Sequence, residues 1–203
     1  MIYELTSLTA AAGRLKEVSD ALAGVAGSIP GELLAAWTTE VGRVNEVLVL
    51  RRYEKAGAPA GASEIVPGGG HWLEDILPLC QDVQLENFRL LPALEHPQPG
   101  ALGAVHELRT YTYRPGMLDE LLQSWTDPLL ARSRISPAPL VMYSVTGRAT
   151  RFMHLWIYQS YEQRLAIRAE QVAKGTWPPP GGRARWLAQE NALLQPLPFS
   201  PMR

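Results

Sequence analysis

The 203-residue chain is poor in the features that commit a protein to a specialised chemistry. It has one cysteine, Cys80, which excludes an intrachain disulfide and cannot alone build a thiolate zinc site; the residue reads as core filler. Its 19 Lys+Arg against 20 Asp+Glu leave a formal charge of −1, with no block of one sign. That excludes the electrostatic footprint required by nucleic acid or an anionic membrane surface. Long apolar runs are missing as well. The stretch from Ala21 to Trp37 is interrupted by Gly24, Gly27, Pro30 and Glu32, so no membrane span is expected. The chain enters a strand-like pattern at Ile2 with no basic segment ahead of an apolar run, which leads us to expect no secretory signal and a cytoplasmic location.

Familiar catalytic motifs are also missing. The histidines at 71, 96, 106 and 154 lack metal-ligand spacing, and His106-Glu107 is not followed by the second histidine of a zincin. Neither Gly68-Gly-Gly70 nor Gly181-Gly182 leads into Lys-Ser/Thr, no dinucleotide fingerprint occurs, and no serine sits in a Gly-x-Ser-x-Gly elbow. The expectation is no metal and no organic cofactor, with haem as the minor alternative.

What the chain does contain is one pattern written twice. Val105-His-Glu-Leu-Arg-Thr-Tyr-Thr-Tyr113 is echoed by Ile2-Tyr-Glu-Leu-Thr-Ser-Leu-Thr9: Glu4-Leu5 recurs as Glu107-Leu108 at an offset of 103. Gly42-Arg43 recurs as Gly147-Arg148, and Tyr53 as Tyr158, at 105, whereas Glu86-Asn87 recurs as Glu190-Asn191 at 104. Offsets that drift so little point to a duplication with small loop changes.

Each copy reads β-α-β-β-α-β. The first strands are Ile2 to Leu8 and Val105 to Tyr113. Leu15, Val18, Leu22 and Val25, and likewise Leu118, Leu121 and Trp125, form helical stripes. Leu33 to Glu40 meets Glu46 to Tyr53 through a turn at Gly42, and Pro139 to Val145 meets Arg151 to Tyr158 through Gly147. Ser160-Tyr-Glu-Gln163 is a capping box that starts a helix ending near Gly175. The fourth strands are expected after Asn87 and Asn191. Copy one has no counterpart to the capped helix: residues 56–70 are rich in Ala, Gly and Pro, which suits either a decayed helix or a lid over a pocket, with a turn or two of helix surviving near Trp72 to Leu77. The expected domains are 1–95, a repeat with a degenerate second helix, a linker at 96–103, and a full repeat at 104–203.

Such a unit makes a four-stranded antiparallel sheet with both helices on one face. The other face is bare, yet strands such as Thr150 to Tyr158 are apolar at successive positions, so both faces need cover. The expected fold class is therefore α+β, with two ferredoxin-like repeats packed sheet to sheet as an intrachain α+β barrel. Burial at roughly 25 cal/mol per Å² makes the halves one cooperative unit.

The strings Val105–Tyr113 with Pro115-Gly116, Trp37-Thr-Thr-Glu-Val-Gly42 with Asn45, His154-Leu-Trp-Ile-Tyr158, and Leu194-Gln-Pro-Leu-Pro-Phe-Ser-Pro201 resemble the NIPSNAP family. That family belongs to the dimeric α+β barrel superfamily, whose wider membership implies a small-molecule enzyme without naming a reaction. Copy one departs from the pattern at Val49-Leu-Arg-Arg-Tyr53, which lacks the His and Trp of copy two.

Candidate site residues follow from alternation along the strands. His154, Trp156 and Tyr158 share one face, with Phe152 before them, and a histidine among aromatic walls can serve as general base or as an anchor for a flat ligand. Glu107, Arg109, Tyr111 and Tyr113 share a face of the opening strand, where Glu107 and Arg109 can pair structurally or grip a substrate. Trp37, Glu40 and Asn45 at the first hairpin, with Tyr143 in the second, are placed at a pocket mouth, although turn chemistry explains Asn45 equally well. Trp177-Pro-Pro-Pro180 reads as a cover over the barrel end. Together with what the resemblance implies, these features lead to an expected small-molecule enzyme acting on a hydrophobic, oxygenated or aromatic metabolite by proton transfer or cofactor-independent oxygenation, of cyclase, isomerase or monooxygenase type. In that reading His154, Arg109 and Tyr111 are catalytic, and Trp156, Tyr158, Glu107, Tyr143, Trp37 and Glu40 contact the substrate. The alternative is a non-catalytic ligand-binding or protein-interaction scaffold. Association of two chains into a homodimer stays open.

Overall fold

Alternating strand sequences and apolar helical stripes demand a sheet covered on both faces. The computed structural model describes residues 1–54, 73–179 and 186–203. Its elements are β1 (Ile2–Ala10), α1 (Leu15–Val25), β2 (Glu32–Val41), β3 (Glu46–Tyr53), a 3-10 turn (Leu77–Leu79), β4 (Cys80–Leu90), β5 (Val105–Tyr113), α2 (Leu118–Ser133), β6 (Leu140–Ser144), β7 (Arg151–Tyr158), α3 (Tyr161–Ala173) and β8 (Trp186–Pro196). The strands close into one antiparallel barrel in the order β1-β3-β2-β8-β5-β7-β6-β4, giving a mixed α+β fold. Within each half the pairing scheme is the same: β1 lies between β3 and β4 as β5 lies between β7 and β8, and β3 meets β2 as β7 meets β6. Two ladders join the halves, β2 to β8 and β4 to β6. The halves are therefore hydrogen-bonded into a continuous wall, beyond the face-to-face contact expected of two sheets.

Strand alternation sorts the side chains into an inner and an outer set. Inside the barrel, Tyr3, Leu5, Leu48, Leu50, Phe88, Met153, Leu155 and Leu194 form one apolar core. Outside, α1 lays Val18 and Leu22 over Leu8, Val47 and Val49, while α2 lays Leu121, Trp125 and Leu129 over Tyr111, Phe152 and Trp156. β7 is intermediate at Arg151 and buried from Phe152 to Tyr158, because it packs against the core on one side and the helices on the other.

Several expectations require correction. β4 and β8 do not follow Asn87 and Asn191 but contain them, starting at Cys80 and Trp186. Their leading halves alternate polar residues and hold their place through backbone ladders to β1 and β5, from Thr9 opposite Asp82 to Tyr111 opposite Gln189. A hydrophobicity pattern does not register such a stretch. Near Trp72 to Leu77 the described chain has a turn at 73–76 and the 3-10 turn at Leu77–Leu79, with Pro78 inside it, and no α-helix. The Ala/Gly/Pro stretch at 56–70 lies outside the described residues. In the capping motif, Ser160 Oγ accepts from Gln163 N–H, but the Gln163 side chain reaches back to the Gln159 N–H and not to Ser160. Trp177 does not cover a barrel end; it packs on Trp125 and Trp156 at ring-centroid distances of 5.2 and 5.1 Å, on the outer face. Asn45 and Thr150, at equivalent places after the two hairpin glycines, both adopt φ of 58°, so Asn45 has the turn role.

Candidate functional site

β5 and β7 are neighbours, and their register sets Glu107 opposite Trp156, Arg109 opposite His154 and Tyr111 opposite Phe152. All six face outward into the layer between the barrel and helices α2 and α3. The two faces expected to carry chemistry are thus brought together, with Tyr158 at one end and Tyr143 on the margin of the same aromatic cluster. Trp37 and Glu40 are not part of it. Trp37 points into the barrel, where its indole N–H donates to His106 Nδ1 at 2.9 Å, and Glu40 is exposed at the end of β2.

Glu107 is the acidic centre of the layer, with a side chain 0% exposed. Its Oε1 accepts from Arg109 Nη1 at 2.9 Å and from Arg164 Nη2 at 2.7 Å, and Arg168 Nη1 stands 3.7 Å away. Burial alone raises a carboxyl pKa, but the Arg164 hydrogen bond and the charges of Arg109, Arg168 and Arg164 outweigh it and hold Glu107 below its ordinary value. Arg109 is itself fixed by donating from Nε to the Tyr111 hydroxyl at 2.8 Å. A fourth guanidinium, that of Arg132, lies 4.8 Å from the centre of the Trp156 ring and donates to Ser136 Oγ at 2.5 Å. Its contact with the Tyr158 hydroxyl is a long 3.5 Å.

His154 sits in the floor of this layer, fully buried, with Tyr111 and Trp125 rings each 4.8 Å away between centroids. The Trp156 indole N–H donates to its Nδ1 at 2.5 Å. An indole nitrogen can only donate, so Nδ1 is the acceptor and the imidazole proton resides on Nε2. Burial first, then the charges of Arg109 and Arg168, push its pKa well below the ordinary histidine value, which keeps the ring neutral. The result is an N–H donor at Nε2 with no partner among the described residues. Of the two roles expected for His154, general base and hydrogen-bonding anchor, the occupied Nδ1 and open Nε2–H suit the anchor.

Arg132, Arg164, Arg168 and Trp186 were not singled out from the sequence. A signal existed for three of them. Arg132 interrupts the apolar stripe of α2, and Arg164 and Arg168 lie one turn apart on α3, on the side that meets β5. The first half handles the equivalent place differently. There Tyr53 donates to Glu4 at 3.2 Å, and Arg51 fills its fork with the carbonyls of Ala26, Ile29, Pro30 and Gly31, just beyond the last turn of α1. That arginine ties down a helix end.

A cavity of about 890 Å³ opens elsewhere, at one mouth of the barrel between the two hairpins. Leu5, Leu48, Leu108 and Met153 form its floor, and charged Glu46, Glu86, Arg151 and Glu190 its rim. None of the outward-facing residues lines it. Among the described residues no cluster of three or more His, Cys, Asp or Glu could hold a metal, and no helix is long and apolar enough to cross a membrane.

A closed eight-stranded antiparallel barrel with helices outside is the architecture of the α+β barrel proteins. Solved structures share it across nearly the whole chain: a candidate monooxygenase from Lactobacillus acidophilus has a TM-score of 0.67 at 11% identity, covering 96% of this chain and 93% of its own. An anthrone oxidase-like protein has a TM-score of 0.67 at 12% identity, with 100% and 94% covered. At that identity the likeness concerns fold alone. Residues 106–201, in the C-terminal half, match the NIPSNAP family model. Similarity to curated members runs further: 27% identity to a NipSnap homolog of Dictyostelium discoideum over 87% of this chain and 78% of that protein. Human NipSnap homolog 2 is 27% identical over 86% of this chain, but the match spans only 63% of the human protein, as it spans 55% of Drosophila melanogaster NipSnap at 25% identity.

Proposed function

We propose that the layer between the barrel and helices α2 and α3 binds a small, flat, oxygenated molecule, stabilises the enolate or phenolate formed when its proton passes to solvent, and so promotes its isomerisation, by reprotonation from solvent, or its cofactor-independent oxygenation by dioxygen. One observation carries this reading: the unpartnered Nε2–H of His154, buried among aromatic rings. A buried donor without an acceptor costs about 1–3 kcal/mol, and a substrate carbonyl or phenolate oxygen would relieve that cost. The donor would strengthen its bond as negative charge develops on that oxygen, which is the condition for lowering a barrier and not merely for binding. Arg109 and Tyr111 orient the substrate, and Trp156 and Trp125 form the apolar walls. The proposal needs no metal or organic cofactor; for oxygenation the co-reactant is dioxygen. We also read the chain as a duplication of one ferredoxin-like unit, 1–95 and 104–203, in which the second copy alone kept the polar set.

The name of the anthrone oxidase-like neighbour suggests the first compounds to try. Purified protein is assayed for oxygen uptake and product formation on anthrones, quinols and 1,3-diketones, beside His154→Phe and His154→Gln. We expect turnover of at least one compound class, a loss of about 10²–10³ in His154→Phe, and partial retention in His154→Gln, whose amide can still donate. Unchanged turnover in His154→Phe would remove the assignment.

A second reading is favoured by the 890 Å³ cavity, which lies at the barrel mouth and away from His154. Under it the chain is a binding or protein-interaction module with no chemistry of its own. It predicts no turnover in the same assay and a compound that protects the barrel mouth from modification.

A further inference from the structure

The charges of the outer layer do not balance. Arg109, Arg132, Arg164 and Arg168 converge there, and among the described residues Glu107 is the one carboxylate at ion-pairing distance from any of them. Among the described residues Arg132 has no ion-pair partner, and it spends its fork on a hydroxyl, a long contact to Tyr158 and the face of Trp156. Side chains of Arg109 and Arg164 are only 13% and 9% exposed, so water screens them little. Buried cations in excess are costly unless something anionic joins them.

The unfilled hydrogen-bonding positions show what kind of group is absent. Nε of Arg132, Nε of Arg164 and Nε2 of His154 are all buried and without acceptors, three donors on one layer. Among the described residues of this layer the orphaned acceptor is Glu107 Oε2, suited to a hydroxyl or amide of the same guest. The first half differs in its guanidinium ends. Arg51, equally buried and also with an Nε lacking a partner, spends both terminal nitrogens on four bonds to backbone carbonyls and so ties down a helix end. The second half holds four arginines where the fold needs one to neutralise Glu107. Access is also visible: Arg168 is 34% exposed, so its guanidinium stands between the layer and solvent.

Resting on the reading above of this layer as the ligand site, we propose that its natural ligand is an organic carboxylate with a flat apolar body. The carboxylate is gripped by Arg164, Arg168 and Arg132, while the body lies against the Trp156 and Trp125 rings. A planar guanidinium fork matches a carboxylate in both geometry and charge, and an aromatic floor matches the flat body.

The test uses the full chain with 1-naphthoate, its neutral isostere 1-naphthamide, and inorganic phosphate as probes, followed by calorimetry and thermal melting. Arg168→Gln is the main variant because that side chain is the most exposed of the four, and Arg168→Lys is its conservative partner. The proposal expects naphthoate to bind at least about tenfold tighter than naphthamide. It expects Arg168→Gln to weaken naphthoate about tenfold, leave naphthamide unchanged and keep the unliganded melting temperature, with Arg168→Lys intermediate. Equal binding of naphthoate and naphthamide, no binding of either, or an Arg168→Gln variant that binds naphthoate like the parent would each overturn it. Phosphate bound as tightly as naphthoate, with the same Arg168 sensitivity, would overturn the aromatic body. The two proposals fail separately: a naphthoate preference with turnover untouched by His154→Phe keeps the carboxylate site and sinks the catalytic reading, and the converse result does the reverse.

Discussion

Glu107 and His154 are opposite solutions to burying a titratable group. Glu107 keeps its charge because Arg164 and Arg109 donate to it, and His154 stays neutral because burial, and then the charges of Arg109 and Arg168, disfavour its protonated form. Glu107→Gln leaves those guanidiniums buried without a counter-charge, so we expect a loss of about 3–5 kcal/mol in denaturant unfolding. The folded pKa of Glu107 lies below its ordinary 4.5, so its contribution is complete above that pH and disappears as pH falls through the folded value. For His154 the folded pKa lies below 6.5, so between the two values the unfolded chain binds more protons and stability falls as pH drops under about 6.5. Melting temperatures from pH 8 to 5 should show that decline, flattened in His154→Phe; His106, also depressed by burial, supplies what remains. A slope identical in the parent and in His154→Phe would contradict the burial of a neutral ring.

Among the elements, those whose hydrophobicity repeats were legible in the sequence. β3 and β7 fall at the expected ends, and α3 begins behind its Ser160 cap, because apolar alternation and a capping serine are local signals. β4 and β8 were read late because their first halves are polar and are held by ladders to partners tens of residues away. Which side of each strand faces the barrel was not legible at all. Alternation says that His154 and Trp156 share a face, but only packing of α2 and α3 decides that this face is the outer one. Ser160→Ala should cost about 1 kcal/mol through loss of the cap to Gln163. Because α3 carries Arg164 and Arg168, the same substitution should also weaken naphthoate binding, and calorimetry on Ser160→Ala checks both effects in one sample.

At the scale of the molecule, the barrel closes only when β2 reaches β8 and β4 reaches β6. Neither half can bury its inner face alone, so thermal unfolding should be one cooperative transition by fluorescence and circular dichroism. The proposed duplication makes a sharper prediction. In a fragment of residues 104–203, β6 and β8 are left as free edges, and two copies can pair β6 with β8 twice to rebuild a barrel. Light scattering should report a dimer; a folded monomeric fragment would contradict the equivalence of the halves. The central claim, that the outer layer of the C-terminal half is the ligand site, is tested most directly by a crystal structure of the full chain soaked with 1-naphthoate. Carboxylate density is expected within hydrogen-bonding distance of Arg168 and Arg164, with the rings against Trp156. Density only in the cavity at the barrel mouth, with the arginine layer unchanged, would contradict it.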